Sequence, residues 1–412
     1  MSGSGDRLWG ADGRRSPSAT PPLSWLLLLG ALIAFAPMSI DMYLPGLPTI
    51  AAEFGANASA AQFTLSSFFV GLAIGQAIYG PFADRYGRKP PLCVGLTLYV
   101  AASIGCALAT DLTSLIALRF VQALGGCAGI VIARAIVRDC CDPHTAARVF
   151  SLLMLIMGLA PILAPLVGGW ILLAAGWRAI FIALTGFGLV CLLAVWGGLR
   201  ETRPADTIAS AGIEAALRVY GDLLRDRRFI GYVLAGGLAH AGMFAYITGS
   251  PHVFIEIYGV SAQNFGWLFG LNALGLIAST QINRRLLARR SADAILRRAN
   301  RATALLGLTL AAVAAGDWGG LPPLLLALFG YSASLGFTAP NAMANALAHQ
   351  GQRAGSASAL LGALQFGIAT VASTLVGLAG HGSALPMATV IAGCGLLAYG
   401  AHRLWVGDGF VP

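Results

Sequence analysis

Apolar residues run along this chain in blocks of roughly 20, the length needed to cross a bilayer as a helix. Short clusters of arginine, aspartate, glycine and proline separate them. Blocks of spanning length fall near 24–44, 62–82, 91–109, 114–136, 149–173, 178–198, 229–250, 264–283, 302–316, 321–340, 356–378 and 384–404. The ninth is the shortest. No block alternates strictly between apolar and polar positions, so the pattern predicts twelve transmembrane helices and excludes a transmembrane β-barrel. A polar stretch at 200–228, dense in arginine, aspartate and glutamate, splits the spans six and six. The predicted organisation is an N-terminal tail (1–22), a six-helix bundle (23–199), a central loop (200–228), a second six-helix bundle (229–404) and a C-terminal tail (405–412). GLAIGQAIYGPFADR at 71–85 and LNALGLIASTQINRR at 271–285 echo each other weakly, as a duplicated unit would.

Composition agrees. Only 10% of the 412 residues are charged, 57% are hydrophobic, and the mean hydropathy is +0.76. A soluble domain is about a quarter charged. The 26 basic residues, all arginine but Lys89, sort by side. Arg85, Arg88, Lys89, Arg138, Arg148, the central-loop arginines, Arg284 to Arg301 and Arg353 fall on one side, with the basic residues of both termini. The opposite loops hold Arg178. The positive-inside rule then makes both termini and the central loop cytoplasmic. The net charge of +9 is mostly topology, with anionic lipid headgroups as its natural partner; nucleic acid is not an expected partner. Seven cysteines lie mostly in apolar blocks without a pairing pattern and read as reduced packing residues; Cys140-Cys141 stand in a loop. The first apolar block is too long for a signal-peptide core and reads as an uncleaved helix.

The chain has no P-loop, because Lys89 follows Arg88 and precedes a proline, so ATP-driven transport by this chain alone is excluded. No cysteine–histidine cluster suggests a metal, and no cofactor is expected. An ion gradient is the remaining energy source, and a membrane carboxylate is the natural proton carrier. Asp41 is the clearest such residue, in APMSIDMYLPGLP (36–48). It either sits at the water interface or acts inside the protein. At 1.5 Å per residue it lies roughly 25 Å along its helix. Pro45 has no N–H, so the Asp41 carbonyl loses its helical partner, and such freed carbonyls belong in protein or beside water. Arg119 and Arg134 are the basic residues inside spans. Arg119, with Gln122 on the same helical face, is either a coupling residue or an arginine snorkelling to the outer headgroups. Arg134, near Arg138 and Asp139, reads as an interface or latch residue.

Three motifs carry a resemblance. GPFADRYGRKPPL (80–92) is a short cytoplasmic turn in which Asp84 and Arg88 can pair, with Gly87 at a position needing unusual backbone freedom. LIALRFVQALGGCAG (115–129) opens the fourth span. GLAPILAPLVGGW (158–170) carries two prolines that should bend the fifth helix and a glycine pair that should let it pack closely. The first resembles the signature loop of the major facilitator superfamily, G-x-x-x-D-R-x-G-R-[KR]. That resemblance implies a cytoplasmic latch at Gly80, Asp84, Arg85, Gly87, Arg88 and Lys89. The second is similar to the family's helix-four arginine motif and implies a proton-coupling role for Arg119 with Asp41. The third is similar to the antiporter motif of drug exporters, at Gly158, Pro161, Pro165, Gly168 and Gly169, although Ala164 replaces the usual glycine before proline.

SIDMYLPGLPTIAAEFG (39–55), the stretch 244–275 and AGSASALLGALQFG (354–367) resemble the bicyclomycin and chloramphenicol resistance branch, Bcr/CflA, of drug:proton antiporters. The resemblance implies two six-helix bundles around a midplane cavity. It also implies export of small amphipathic drugs against protons by alternating access, and a functional monomer in the bacterial inner membrane. Candidate cavity residues are Phe35, Tyr43, Gln122, Phe244, Tyr246, Asn272 and Gln365, aromatics for apolar drugs and amides for sparse polar contacts. The rival reading within transport is a proton-coupled symporter importing a small metabolite. A membrane enzyme would need a catalytic cluster, and none is visible.

Overall fold

A computed structural model of the chain describes residues 22–202, 213–379 and 382–406. Most of both predicted tails and part of the central loop lie outside them. The described residues form fourteen α-helices. The first bundle holds α1 (Leu23–Asp41), α2 (Leu47–Glu53), α3 (Ala58–Tyr86), α4 (Lys89–Leu108), α5 (Leu112–Cys140), α6 (Pro143–Ala175) and α7 (Trp177–Gly198). The central segment contributes α8 (Ile213–Arg225). The second bundle holds α9 (Arg227–Pro251), α10 (Ala262–Leu286), α11 (Ala292–Gly316), α12 (Leu321–Leu347), α13 (Ala354–Leu378) and α14 (Leu385–Ala401). Twelve spans are long and apolar enough to cross a membrane, α1 and α2 counting as one and α8 as none.

Six helix starts are set by a side chain in the preceding loop. Asn57, Asp111, Asp142, Asp226, Ser261 and Ser291 each accept a backbone N–H from the first turn of the helix that follows. These acceptors satisfy donors that the membrane cannot. Outside the spans, the Ser114 backbone N–H holds the Asp111 carboxyl below the usual carboxylate range.

Several boundaries differ from the sequence pattern, among them the start of α6 at Pro143 and the end of α12 at Leu347, and three differences bear on the site. The ninth span starts at Ala292, not near 302, so Arg297, Arg298 and Arg301 sit on its first turns, where Arg297 pairs with Asp293 at 3.0 Å. The central stretch contains a helix, and its Tyr220 hydroxyl donates to the Ala77 carbonyl of α3 at 3.0 Å. Helix α1 ends at Asp41, where Pro45 removes the next hydrogen-bond donor, and a 3₁₀ turn (Leu44–Gly46) leads into α2. The fifth span, α6, runs as one assigned helix through Pro161 and Pro165.

Within the first bundle, close approach rests on glycine. A Cβ on Gly125 would stand 2.6 Å from the Gly95 carbonyl oxygen, and one on Gly71 2.5 Å from that of Phe120. Between bundles, α3 packs along α13 and α6 along α10. The α3 seam is polar at its outer half: Ser66 and Thr248 both hydrogen-bond Ser373 at 2.8 Å, and Ser59 donates to the Gly377 carbonyl. The α6 seam is built on small residues, with Gly169 against the Ala262 carbonyl and Gly266 against Leu166.

Gly125→Leu drives a side chain into the α4 backbone and is expected to cost about 3 kcal/mol or more. Thermal unfolding of purified protein in detergent should show a clear fall in Tm. Gly197→Leu, at a position where a Cβ meets nothing within 4 Å, should leave it unchanged.

Candidate functional site

Asp41 is the last residue of α1 and only 3% exposed. Among the described residues its carboxylate makes no hydrogen bond or ion pair. Its charge lies close enough to interact electrostatically with Tyr246 of α9, in the other bundle. The carboxylate therefore sits at the seam between the bundles rather than at the outer headgroups.

Arg119 of α5 is fully buried. Its guanidinium lies 4.5 Å from the Tyr43 ring centroid, 4.2 Å from Phe68 and 5.8 Å from Phe181. Nη1 donates to Gln122 at 2.6 Å, and Gln122 donates to Ser103 at 2.8 Å, while Nε and Nη2 have no partner. This is an aromatic cage for a cation. No ion pair joins Arg119 to Asp41 in this conformation, a contact that the sequence left open.

The candidate cavity residues divide into two groups. Phe35, Tyr43 and Gln122 are wholly enclosed in the first bundle: Phe35 stacks edge-on against Tyr99 at 4.5 Å, and Tyr43 hydrogen-bonds Thr64 at 2.9 Å. They build the core around Arg119 and do not line the inter-bundle space. The residues of the second bundle face the seam. Phe244 meets Phe69 of α3 at 4.8 Å and Phe366 of α13 at 5.6 Å. Tyr246 accepts a hydrogen bond from Asn272 at 2.9 Å and stacks on Phe269. Gln365 is half-buried, with no hydrogen-bond partner among the described residues.

With the arginine-rich loops taken as the inner side, the outer ends are sealed: the 3₁₀ turn after α1 touches α9 and α10, and α2 touches the π-helical turn His252–Ile257. Leu47 and Gln62 from one bundle and Thr248 and His252 from the other line a small crevice left there. On the inner side the bundles also meet, where a Cβ on Gly355 of α13 would stand 3.4 Å from Arg138 Nη1 of α5.

At that inner side the 80–92 turn is held by four elements. Arg88 Nη1 donates to Asp84 at 2.6 Å and Nε to Asp139, at the end of α5, at 2.7 Å. Glu201, just after α7, accepts the backbone N–H groups of Arg88 at 2.7 Å and Lys89 at 3.0 Å. Lys89 Nζ reaches the Trp196 carbonyl at 2.8 Å, and Arg85 lies over Tyr86. Gly87 has φ +89°, and a Cβ there would stand 2.6 Å from the Glu201 carboxylate. Gly80 faces Ala359 of the second bundle. Asp139 and Glu201 were not among the residues picked out for the turn; no local spacing links them to it. In α6, Gly168 abuts the Met42 carbonyl, Gly158 faces Ile277, and Pro161 and Pro165 flank Ile162, which faces Gly270 of α10.

Two helical bundles meeting at paired seams, with a carboxylate at the junction, have the build of a secondary transporter. The chain belongs to the Major Facilitator Superfamily, whose profile it matches over residues 27–374. It is 40% identical over 380 residues to the uncharacterized MFS-type transporter YdgK of Bacillus subtilis, covering 91% of this chain and 94% of that one. It is 31% identical over 378 residues to the bicyclomycin resistance protein homolog of Haemophilus influenzae, covering 92% and 95%. The multidrug resistance protein MdtL of Escherichia coli matches at 35% over 249 residues, 60% of this chain and 63% of that one. Among solved structures, the xylose transporter XylE of E. coli, in a partially occluded inward-open conformation, superposes with a TM-score of 0.73 at 15% identity over 94% and 97% of the chains. That likeness speaks to the fold alone. The protein is thus a multi-pass protein of the bacterial inner membrane.

Glu201→Ala removes the acceptor for two N–H groups at the start of α4. A loss of about 1 kcal/mol of stability is expected, as for other helix-start caps. The checks are thermal unfolding and the rate of tryptic cleavage at Arg88, which should rise.

Proposed function

We propose that this chain exports small amphipathic drugs across the inner membrane in exchange for protons, by alternating access, as a functional monomer and with no cofactor beyond the proton gradient. The observation that carries the reading is Asp41: a carboxylate enclosed at the bundle junction with neither hydrogen bond nor counter-charge among the described residues. An ionised carboxylate is costly there and a protonated one is not. Proton uptake therefore favours the enclosed arrangement, and proton loss favours one that lets water reach the group. The names of two relatives, one for bicyclomycin resistance and one for multidrug resistance, support drugs as the cargo.

In this reading a proton from outside neutralises Asp41, the outer seal closes, and the inner side opens to release the proton and admit drug. The Asp84–Arg88–Asp139 network and Glu201 govern closure of the inner side. Arg119 acts as a positioning residue. It grips Tyr43, two positions beyond Asp41, and so ties the end of α1 to α5 without touching the carboxylate. Anionic headgroups are the partners of the arginine-rich inner rim.

Substrate-induced proton release from purified protein tests the carrier. Wild type should release protons on adding chloramphenicol, and Asp41→Asn should release none. Undiminished release in the variant removes Asp41 from the role. Direction is read separately, from everted vesicles. An exporter accumulates chloramphenicol when a proton gradient is imposed, and a symporter importing a metabolite loses it.

A further inference from the structure

The export reading gives a proton to Asp41 and leaves the outer seal without a trigger of its own. One polar atom is left over at that seal. Gln62 of α3 is 3% exposed, and its Oε1 has no hydrogen-bond partner among the described residues. The amide reaches across the seam, because a Cβ on Gly377 of α13 would stand 3.6 Å from Oε1. The hydroxyls around it are already used. Ser66 and Thr248 both bond Ser373, and Ser59 donates to the Gly377 carbonyl. A buried acceptor left bare is costly, so a donor brought to Gln62 stabilises whatever arrangement brings it.

The group opposite is an imidazole. Two small crevices in the seal share Gln62 of the first bundle and His252 of the second among their lining residues. His252 opens the π-helical turn that touches α2. Its Nδ1 lies 2.8 Å from Glu256 Oε2, one turn on. A carboxylate only accepts, so Nδ1 carries the hydrogen. In the neutral ring Nε2 is then an acceptor, and two acceptors cannot bond each other. They can only share a water that donates to both and holds them apart. Protonation puts a hydrogen on Nε2, and the ring becomes the donor that Gln62 lacks.

The other ionisable groups of the outer side are engaged elsewhere. Glu53 of α2 binds Trp177 and Arg178, and Tyr258 is hydrogen-bonded to Asp317. On α9, Tyr246 bonds Asn272, and His240 lies more than three turns deeper than His252. The outer halves of α3, α10, α13 and α14 carry none among the described residues. Glu256 is exposed and gives outer water access to the pair.

We infer that His252 and Gln62 form an outer latch that a proton closes, the imidazolium donating from Nε2 to Gln62 Oε1 across the seam between the bundles. An imidazole changes charge between about pH 5 and 8, so acid on the outside favours the sealed outer side. His252 is a positioning residue here and touches no cargo. The inference rests on the export reading for what the closed seal serves. The latch itself is a property of conformation.

Its test is the distance across the outer seal, read by double electron–electron resonance on the purified full-length protein. Spin labels go on Ala52→Cys of α2 and Gly382→Cys between α13 and α14, both exposed, with the native cysteines replaced by alanine. The chain also carries Asp41→Asn, so that titration of Asp41 adds nothing. The ratio of short to long distances should rise about tenfold from pH 8 to pH 5.5, the worth of one hydrogen bond to a charged group. His252→Phe and Gln62→Leu should each flatten that response, and Gln62→Leu decides the matter should His252→Phe not fold. His252→Lys, charged throughout, should hold the short distance at both pH values. A response that survives either His252→Phe or Gln62→Leu overturns the latch. So does the absence of any response with both residues intact. Undiminished proton release by Asp41→Asn sinks the carrier reading instead and leaves these distances standing.

Discussion

An ionised group in the interior of a membrane protein must be given partners or be allowed to lose its charge, and this molecule does both within one layer of the first bundle. Arg119 cannot lose its charge. It is held between the faces of Tyr43, Phe68 and Phe181 and one amide oxygen. Asp41 has no partner among the described residues, and a carboxylate is a group whose charge a proton can remove. The two sit on neighbouring helices and are joined through the aromatic ring two positions past the carboxylate. Much of the surrounding architecture serves to keep these two environments apart.

Glycine makes the cage. Enclosing a guanidinium among three rings requires α5 to lie close against α3 and α4, and Gly71, Gly95 and Gly125 supply that approach with backbone against backbone. At the bundle seams the same economy of side chains has another consequence. Hydroxyl pairs such as Ser66–Ser373, and glycine on carbonyl such as Gly169 on Ala262, are contacts of small area. They are made and broken at little cost when one bundle rocks on the other. A seam of interdigitated leucines would fix a single arrangement.

The spans, the six-and-six division and the latch turn were legible because each is a local signal. Apolar run length marks a helix, and Asp84 and Arg88 are four residues apart and meet on one face. What the sequence did not disclose is non-local or directional. Glu201 is 113 residues from Arg88, and nothing in RETRP announces that its carboxylate closes over Gly87. Helix α8 hides in a charged stretch because only one of its faces is apolar. Phe35, Tyr43 and Gln122 have the composition of a cavity wall, but residue type does not fix which face of a helix looks inward, and theirs look into the bundle.

Asp41 lies on the sealed outer half, and a change in its charge would reach the rest of the molecule through the chain. The connection with the fewest joints is the end of α1: Asp41 closes the helix, Tyr43 is gripped by Arg119, and the 3₁₀ turn beyond Pro45 presses on α9 and α10. A charge change at Asp41 alters how firmly that helix end can stay buried. The segment it would release is the one that forms the outer seal. Arg119 holds the same segment from behind, its guanidinium 4.5 Å from the Tyr43 ring.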